Sequence, residues 1–148
     1  MSFQEKRALV FLSSILLILG GYSLFIYHRY SDTIMSNPND FVFWGKTFMI
    51  LVLVSIVANI LIQIVFAIVH KIVTKEDVPT RSDERDKLIE LKAIQITHWV
   101  FIVGFLFSMG SQAMGMQPWV MMVILVGSGF LASCVTEITR FYLYRKGF

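Results

Sequence analysis

The chain has 148 residues, 56% of them apolar and only 16% charged, with a formal net charge of +3. Typical soluble domains carry about 25% charged residues, so this composition, with a mean hydropathy of +0.69, excludes an ordinary soluble globular domain. No more than two basic residues are adjacent, which argues against a nucleic-acid partner; the positive balance reads instead as attraction to anionic lipid head groups.

Charge is absent from residues 8–28, 47–70 and 93–136. A bilayer-spanning helix needs about 20 apolar residues. The third window is long enough for two spans and contains the helix-punctuating stretch Gly110-Ser-Gln-Ala-Met-Gly-Met-Gln-Pro118. Four transmembrane helices are therefore expected, over 7–27, 44–70, 91–109 and 119–142. Runs such as Ile15-Leu-Leu-Ile-Leu19 lack the alternation of a membrane β-barrel strand. The expected fold is an all-α membrane protein, one four-helix bundle of two antiparallel hairpins over 1–148.

The first helix begins after Lys6 and Arg7. Its apolar run exceeds the roughly 7–15 residues of a signal-peptide core, and no small-x-small site follows, so an uncleaved anchor is expected. Residues 29–43 form the next loop, with the turn cluster Ser36-Asn-Pro-Asn-Asp40. In the second helix Ser55, Asn59 and Gln63 repeat at i, i+4, i+8 and share one face. Asn59 falls near the bilayer centre, where its amide needs a partner. Hydrogen bonding between helices, the lining of a permeation path and an oligomer contact would each supply one.

Residues 70–93 hold 12 of the 23 acidic and basic residues and divide the apolar halves. Within them, 71–92 is read as a cytoplasmic charged loop and helix extension. Val78-Pro79-Thr80 should end any continuation of the second helix. Ser82 suits an N-cap, and Asp83 and Glu84 suit the first turn of a helix running unbroken into the third span. Such a helix, about 30 residues and roughly 45 Å long, would project two to three turns from the membrane. Arg81, Asp83, Glu84, Arg85 and Asp86 are its candidate docking surface.

Depth along the helices suggests a second site. Ser13 and Ser14 lie six and seven residues from Arg7, Gln63 eight from Lys71, His98 six from Lys92, and Cys134 six from Arg140 with Ser133 beside it. At 1.5 Å per residue all fall about 9–12 Å from the basic boundary. Together with Ser55 and Asn59 they form a candidate polar belt, or pore lining, drawn from all four helices. Glu137 is the deepest acid; Lys92 across the hairpin and Arg140 at i+3 are its expected ion-pair partners. Gly20-Gly21, Gly104 and Gly127-Ser-Gly129 permit close helix approach.

No catalytic motif appears, so no enzymatic activity is expected. His98 and Cys134 supply two ligands, short of the four of a structural zinc site. Five methionines from Met109 to Met122 could take Cu(I) but also pack well in apolar surroundings. No cofactor or metal is called for.

Eleven of the 13 Lys and Arg residues fall on one side of a four-span chain, leaving Arg29 and Lys46 on the other. The positive-inside rule then places both termini and the central loop in the cytoplasm. The segment Asp83-Glu-Arg-Asp86, followed by Leu88-Ile89-Glu90 and Lys92-Ala93, resembles a loose set of small prokaryotic integral membrane proteins. In these, Asp-Glu-Arg-(Asp/Thr), then Ile and Lys-Ala, enters a transmembrane helix. The resemblance covers about a dozen residues. It implies a prokaryotic inner-membrane protein and carries no activity. The expected role is non-catalytic, an interaction or regulatory function of the cytoplasmic loop. The alternative is an oligomeric ion or small-solute channel or transporter subunit using the polar belt. The bilayer, a homo-oligomer and a cytoplasmic protein are the partners this reading admits.

Overall fold

The computed structural model describes residues 3–75 and 83–147. It comprises four α-helices, α1 (Phe3–Ser36), α2 (Phe41–Thr74), α3 (Glu84–Ala113) and α4 (Pro118–Lys146), with no strand among the described residues. Each is long and apolar enough to cross a membrane. The Pro79 exit, the Ser82 cap and Arg81 lie outside the described residues.

The elements are longer than the sequence windows suggest, and their connections correspondingly shorter. Helix α1 continues through what reads as a 29–43 loop, leaving 37–40 as the connection. Its backbone leaves helical dihedrals at Tyr30 (φ −125°, ψ 19°), so residues 31–36 are a separate helical piece beyond the main run. Asp40 starts α2, its carboxylate accepting from the backbone N–H groups of Val42 and Phe43 at 3.0 and 3.1 Å, the satisfaction that exposed helix donors require. Helix α3 starts at Glu84, capped by Asp83, whose side chain accepts from Glu84 N. Its 30 residues match the expected helix length. Helix α3 also runs on to Ala113, so the hairpin shrinks to 114–117. There Gly115 takes φ +76°, a left-handed conformation that glycine adopts without Cβ strain. Pro118 then opens α4 at a position where its missing N–H costs nothing.

Contacts at the helix ends fix the arrangement. The Phe3 ring lies 5.2 Å from that of Phe66 and 4.6 Å from that of His70, putting the start of α1 beside the end of α2. Arg140 reaches Glu90, putting the end of α4 beside the start of α3. Gln4 and Arg7 share a pocket with Glu137 and Tyr144, which joins the two hairpins. The start of α1, the end of α2, the start of α3 and the end of α4 thus meet at one end, here termed the basic end. Opposite is an aromatic end, where the Trp44 and Trp119 rings stack 6.0 Å apart at 12°.

Helix α4 is the hub. It packs most extensively on α3, then on α1, and touches α2 more sparsely; α1 and α2 also touch. Lipid tails are as apolar as Leu, so burial of apolar area does not pull membrane helices together; close packing and hydrogen bonds do. The α3–α4 seam is built that way. A Cβ on Gly104 would collide with Ser128 Cβ, so the Ser128 side chain packs directly on the α3 backbone there. Ser108 donates its hydroxyl to Met121 O at 2.9 Å, and the Thr97 and Thr136 hydroxyls meet across the seam. Ile89, Ala93 and Ala132 fill the rest. Gly20 and Gly21, by contrast, have no neighbour at the Cβ position.

Candidate functional site

Polar groups converge at the basic end of α4. Glu137 is buried, 7% exposed. Arg140 Nη1 donates to its Oε1 at 2.6 Å, and Arg140 Nη2 donates to Glu90 Oε1 at 2.6 Å. One guanidinium therefore joins α3 and α4, using the forked donors that only arginine offers. Arg7, Gln4 and Tyr144 complete a pocket of about 50 Å³ around this cluster.

The expected Arg140 partner of Glu137 is present. The α3 residue tied to it, through Arg140, is Glu90 and not Lys92. Ile89 and Ala93 are fully buried in the seam, so Glu90 and Lys92 project on opposite flanks of it. Lys92 lines a separate groove with Thr139 and Tyr142. Glu90 and Lys92 each stand one residue inside the Ile89–Ala93 pair, so spacing along α3 does not distinguish the two.

From Glu137 a cleft of about 580 Å³ runs along α4 toward the middle of the molecule. Its floor is Phe11 and Ile15 of α1. One wall is Val52, Ser55, Ile56, Asn59 and Gln63 of α2; the other includes Gly129, Ser133 and Glu137 of α4. The α2 row thus shares one face, as its spacing requires. Ser55 donates back to Leu51 O at 2.7 Å and Ser133 to Gly129 O at 3.0 Å. Asn59 Oδ1 is buried with no hydrogen-bond partner, so Asn59 bonds no helix of its own chain through that atom.

The four-helix belt is corrected. Helix α3 contributes nothing to the cleft, because it packs on a different flank of α4. His98 is exposed on α3, its ring 6.4 Å from that of Trp99. Ser13 is exposed and Ser14 buried, and both donate to their own helix, at Val10 O and Phe11 O. Cys134 is half-buried and stands outside the cleft lining. Equal depth did not bring these groups together; helix rotation separated them.

The start of α3 carries the docking candidates. Asp83 and Glu84 are exposed, and Asp83 is occupied as the cap. Arg85 Nη2 donates to Tyr144 O at 3.4 Å, and Asp86 is half-buried facing the Tyr144 hydroxyl. Part of this motif therefore ties α3 to the end of α4.

Sequence reasoning missed two ties at the aromatic end. Tyr22 donates to Thr47 O at 2.7 Å, joining α1 to α2, and Trp44 Nε1 donates to Pro38 O at 2.8 Å. A second cavity, about 460 Å³, lies between these residues and Trp119.

Comparison with protein-family models, with curated proteins and with solved structures gave no match. What the fold defines is an all-α bundle with four helices able to cross a bilayer.

Proposed function

We propose that this chain is a multi-pass protein of a prokaryotic plasma membrane, both termini cytoplasmic, acting non-catalytically as an interaction or regulatory module through the start of α3. The observation that carries this reading is the anchoring of that start. Glu84, Arg85 and Lys87 are exposed on a helix end pinned to α4 by the Glu90–Arg140 pair. A charged surface held in one conformation loses less entropy on binding than a flexible loop. The orientation is supported by the gathering of basic residues at one end.

The test is a photo-crosslinking side chain at Glu84 in living cells, with one at Leu53 as a lipid-facing control. A discrete protein adduct at position 84, lost on the charge reversals Arg85→Glu and Lys87→Glu, is expected. An adduct indifferent to both reversals, or none, removes the docking role.

One observation favours a second reading, a channel or transporter subunit. Glu137 lines both the intramembrane cleft and the polar pocket at the basic end, as a step between membrane depth and water would. Ion or solute flux into proteoliposomes that falls on Gln63→Leu supports this reading; wild-type vesicles no leakier than protein-free ones sink it.

A further inference from the structure

A groove of about 400 Å³ lies between α3 and α4 at the basic end. It is separate from the Glu90–Arg140–Glu137 cluster, and none of the described residues that line it is acidic. Helix α4 supplies Thr139, Tyr142, Leu143 and Lys146, whose i, i+3, i+4, i+7 spacing puts them on one face. Helix α3 supplies Lys92 and, one turn further along, Ile96.

The groove is charged at its outer part and apolar further in. Residues 93–136 carry no charge, so Lys92 stands at the edge of the apolar span and Ile96 within it. Ile138, 51% exposed, adds to the apolar part. Lys146 is exposed in the last turn of α4. Its ammonium lies 5.7 Å from the centroid of the Tyr142 ring, one turn back along α4, so the side chain folds toward the span and not away from it. Two ammonium groups thus share one lining with apolar walls. Like charges lining a cleft with low-dielectric walls concentrate a counter-ion there. A free inorganic anion would use the lysines and leave the apolar walls without a role. A zwitterionic lipid would bring its own cation up to the two lysines.

We propose that this groove binds one anionic phospholipid, its phosphate held by Lys92 and Lys146 and its acyl chain laid along Ile96 and Ile138. Thr139 and Tyr142 add hydroxyl donors for the remaining phosphate oxygens. The lysine stems lie along apolar surface while their heads reach the polar boundary, where attraction to anionic head groups is strongest. The bound lipid joins α3 to α4 on the flank opposite the Glu90–Arg140 pair. The inference rests on the membrane-spanning reading and is independent of the docking role of α3.

Native mass spectrometry tests it, with the delipidated full chain in mild detergent titrated with phosphatidylglycerol or phosphatidylcholine. One phosphatidylglycerol per chain should be retained under conditions that release phosphatidylcholine. Lys92→Gln with Lys146→Gln should weaken phosphatidylglycerol binding about 30-fold, and Lys92→Arg with Lys146→Arg should preserve it. Lys6→Gln with Lys71→Gln removes the same charge from the same end, on α1 and α2, and should change binding little. Equal loss from the two glutamine pairs, or equal retention of the two lipids, overturns the proposal. Displacement of the lipid by inorganic phosphate also overturns it and assigns the groove to a free anion. If the Lys92 and Lys146 glutamine pair does not fold, the wild-type choice between the two lipids decides alone. Wild-type protein that fails to float with phosphatidylglycerol liposomes removes the membrane reading and the site together; protein that floats yet shows no lipid preference removes the site alone.

Discussion

Glu90 of α3 reaches Arg140 of α4 at 2.6 Å, and the same guanidinium holds the buried Glu137 at 2.6 Å through its other terminal nitrogen. The two carboxylates are not equivalent. The Glu90 side chain is 57% exposed and can be resolvated, whereas the Glu137 side chain is buried.

Their inequality gives the first prediction. Arg140→Ala should destabilise the bundle by about 3–5 kcal/mol, the usual cost of leaving one member of a buried pair uncompensated. Glu90→Ala should cost less than about 1 kcal/mol, as an exposed partner does. Arg140→Ala together with Glu137→Gln should recover much of the loss. Thermal unfolding in mild detergent reads all three; equal effects of Arg140→Ala and Glu90→Ala would refute the ranking.

The α3–α4 crossing predicts a specific rescue. Gly104→Ala places a methyl in collision with Ser128 Cβ and must push the helices apart, at an expected cost of about 1–3 kcal/mol. Ser128→Gly in the same chain removes the clashing carbon and should return most of that stability. Proteolysis of the detergent-solubilised protein provides the measure. A Gly104→Ala variant as resistant as wild type would mean the helices do not touch there.

One phenol hydrogen-bonds α1 to α2. Tyr22→Phe deletes the donor to Thr47 O while keeping the ring, and should cost about 0.6–2 kcal/mol. Because α2 packs sparsely elsewhere, hydrogen exchange in α2 should accelerate more than in α3. Uniform acceleration across all four helices would show that α2 is not separately hinged.

The orientation is testable by labelling. In a Cys134→Ala background, Thr33→Cys lies at the aromatic end and Glu84→Cys at the basic end. A membrane-impermeant maleimide added to intact cells should label position 33 alone, and position 84 only after permeabilisation. The reverse pattern would invert the assignment of both termini.

Much of this fold was legible before any coordinates. The three charge-free windows located four helices, and Gly110–Pro118 located the hairpin. The windows under-called helix length because Lys46 bounds an apolar run without bounding a helix, and because α1 resumes as a short helical piece after its break at Tyr30. The Ser55–Asn59–Gln63 face was also legible, since spacing within one helix is fixed by its pitch. Neither the exclusion of His98 nor the choice of Glu90 over Lys92 could be read, because each depends on how one helix is rotated against another.

The segment 70–93 shows the same division. Its charge by itself determined where the chain leaves the apolar spans and that α3 must project beyond them. Only the tertiary structure decided that Arg85, Asp86 and Glu90 turn back onto α4 and that the α2 row faces an open groove. The physical reason lies in the solvent. In water a helix shows its buried face as an apolar stripe, but in lipid every face can be apolar. Rotation and partner choice then rest on close contacts such as Gly104 with Ser128, which no single-chain pattern encodes.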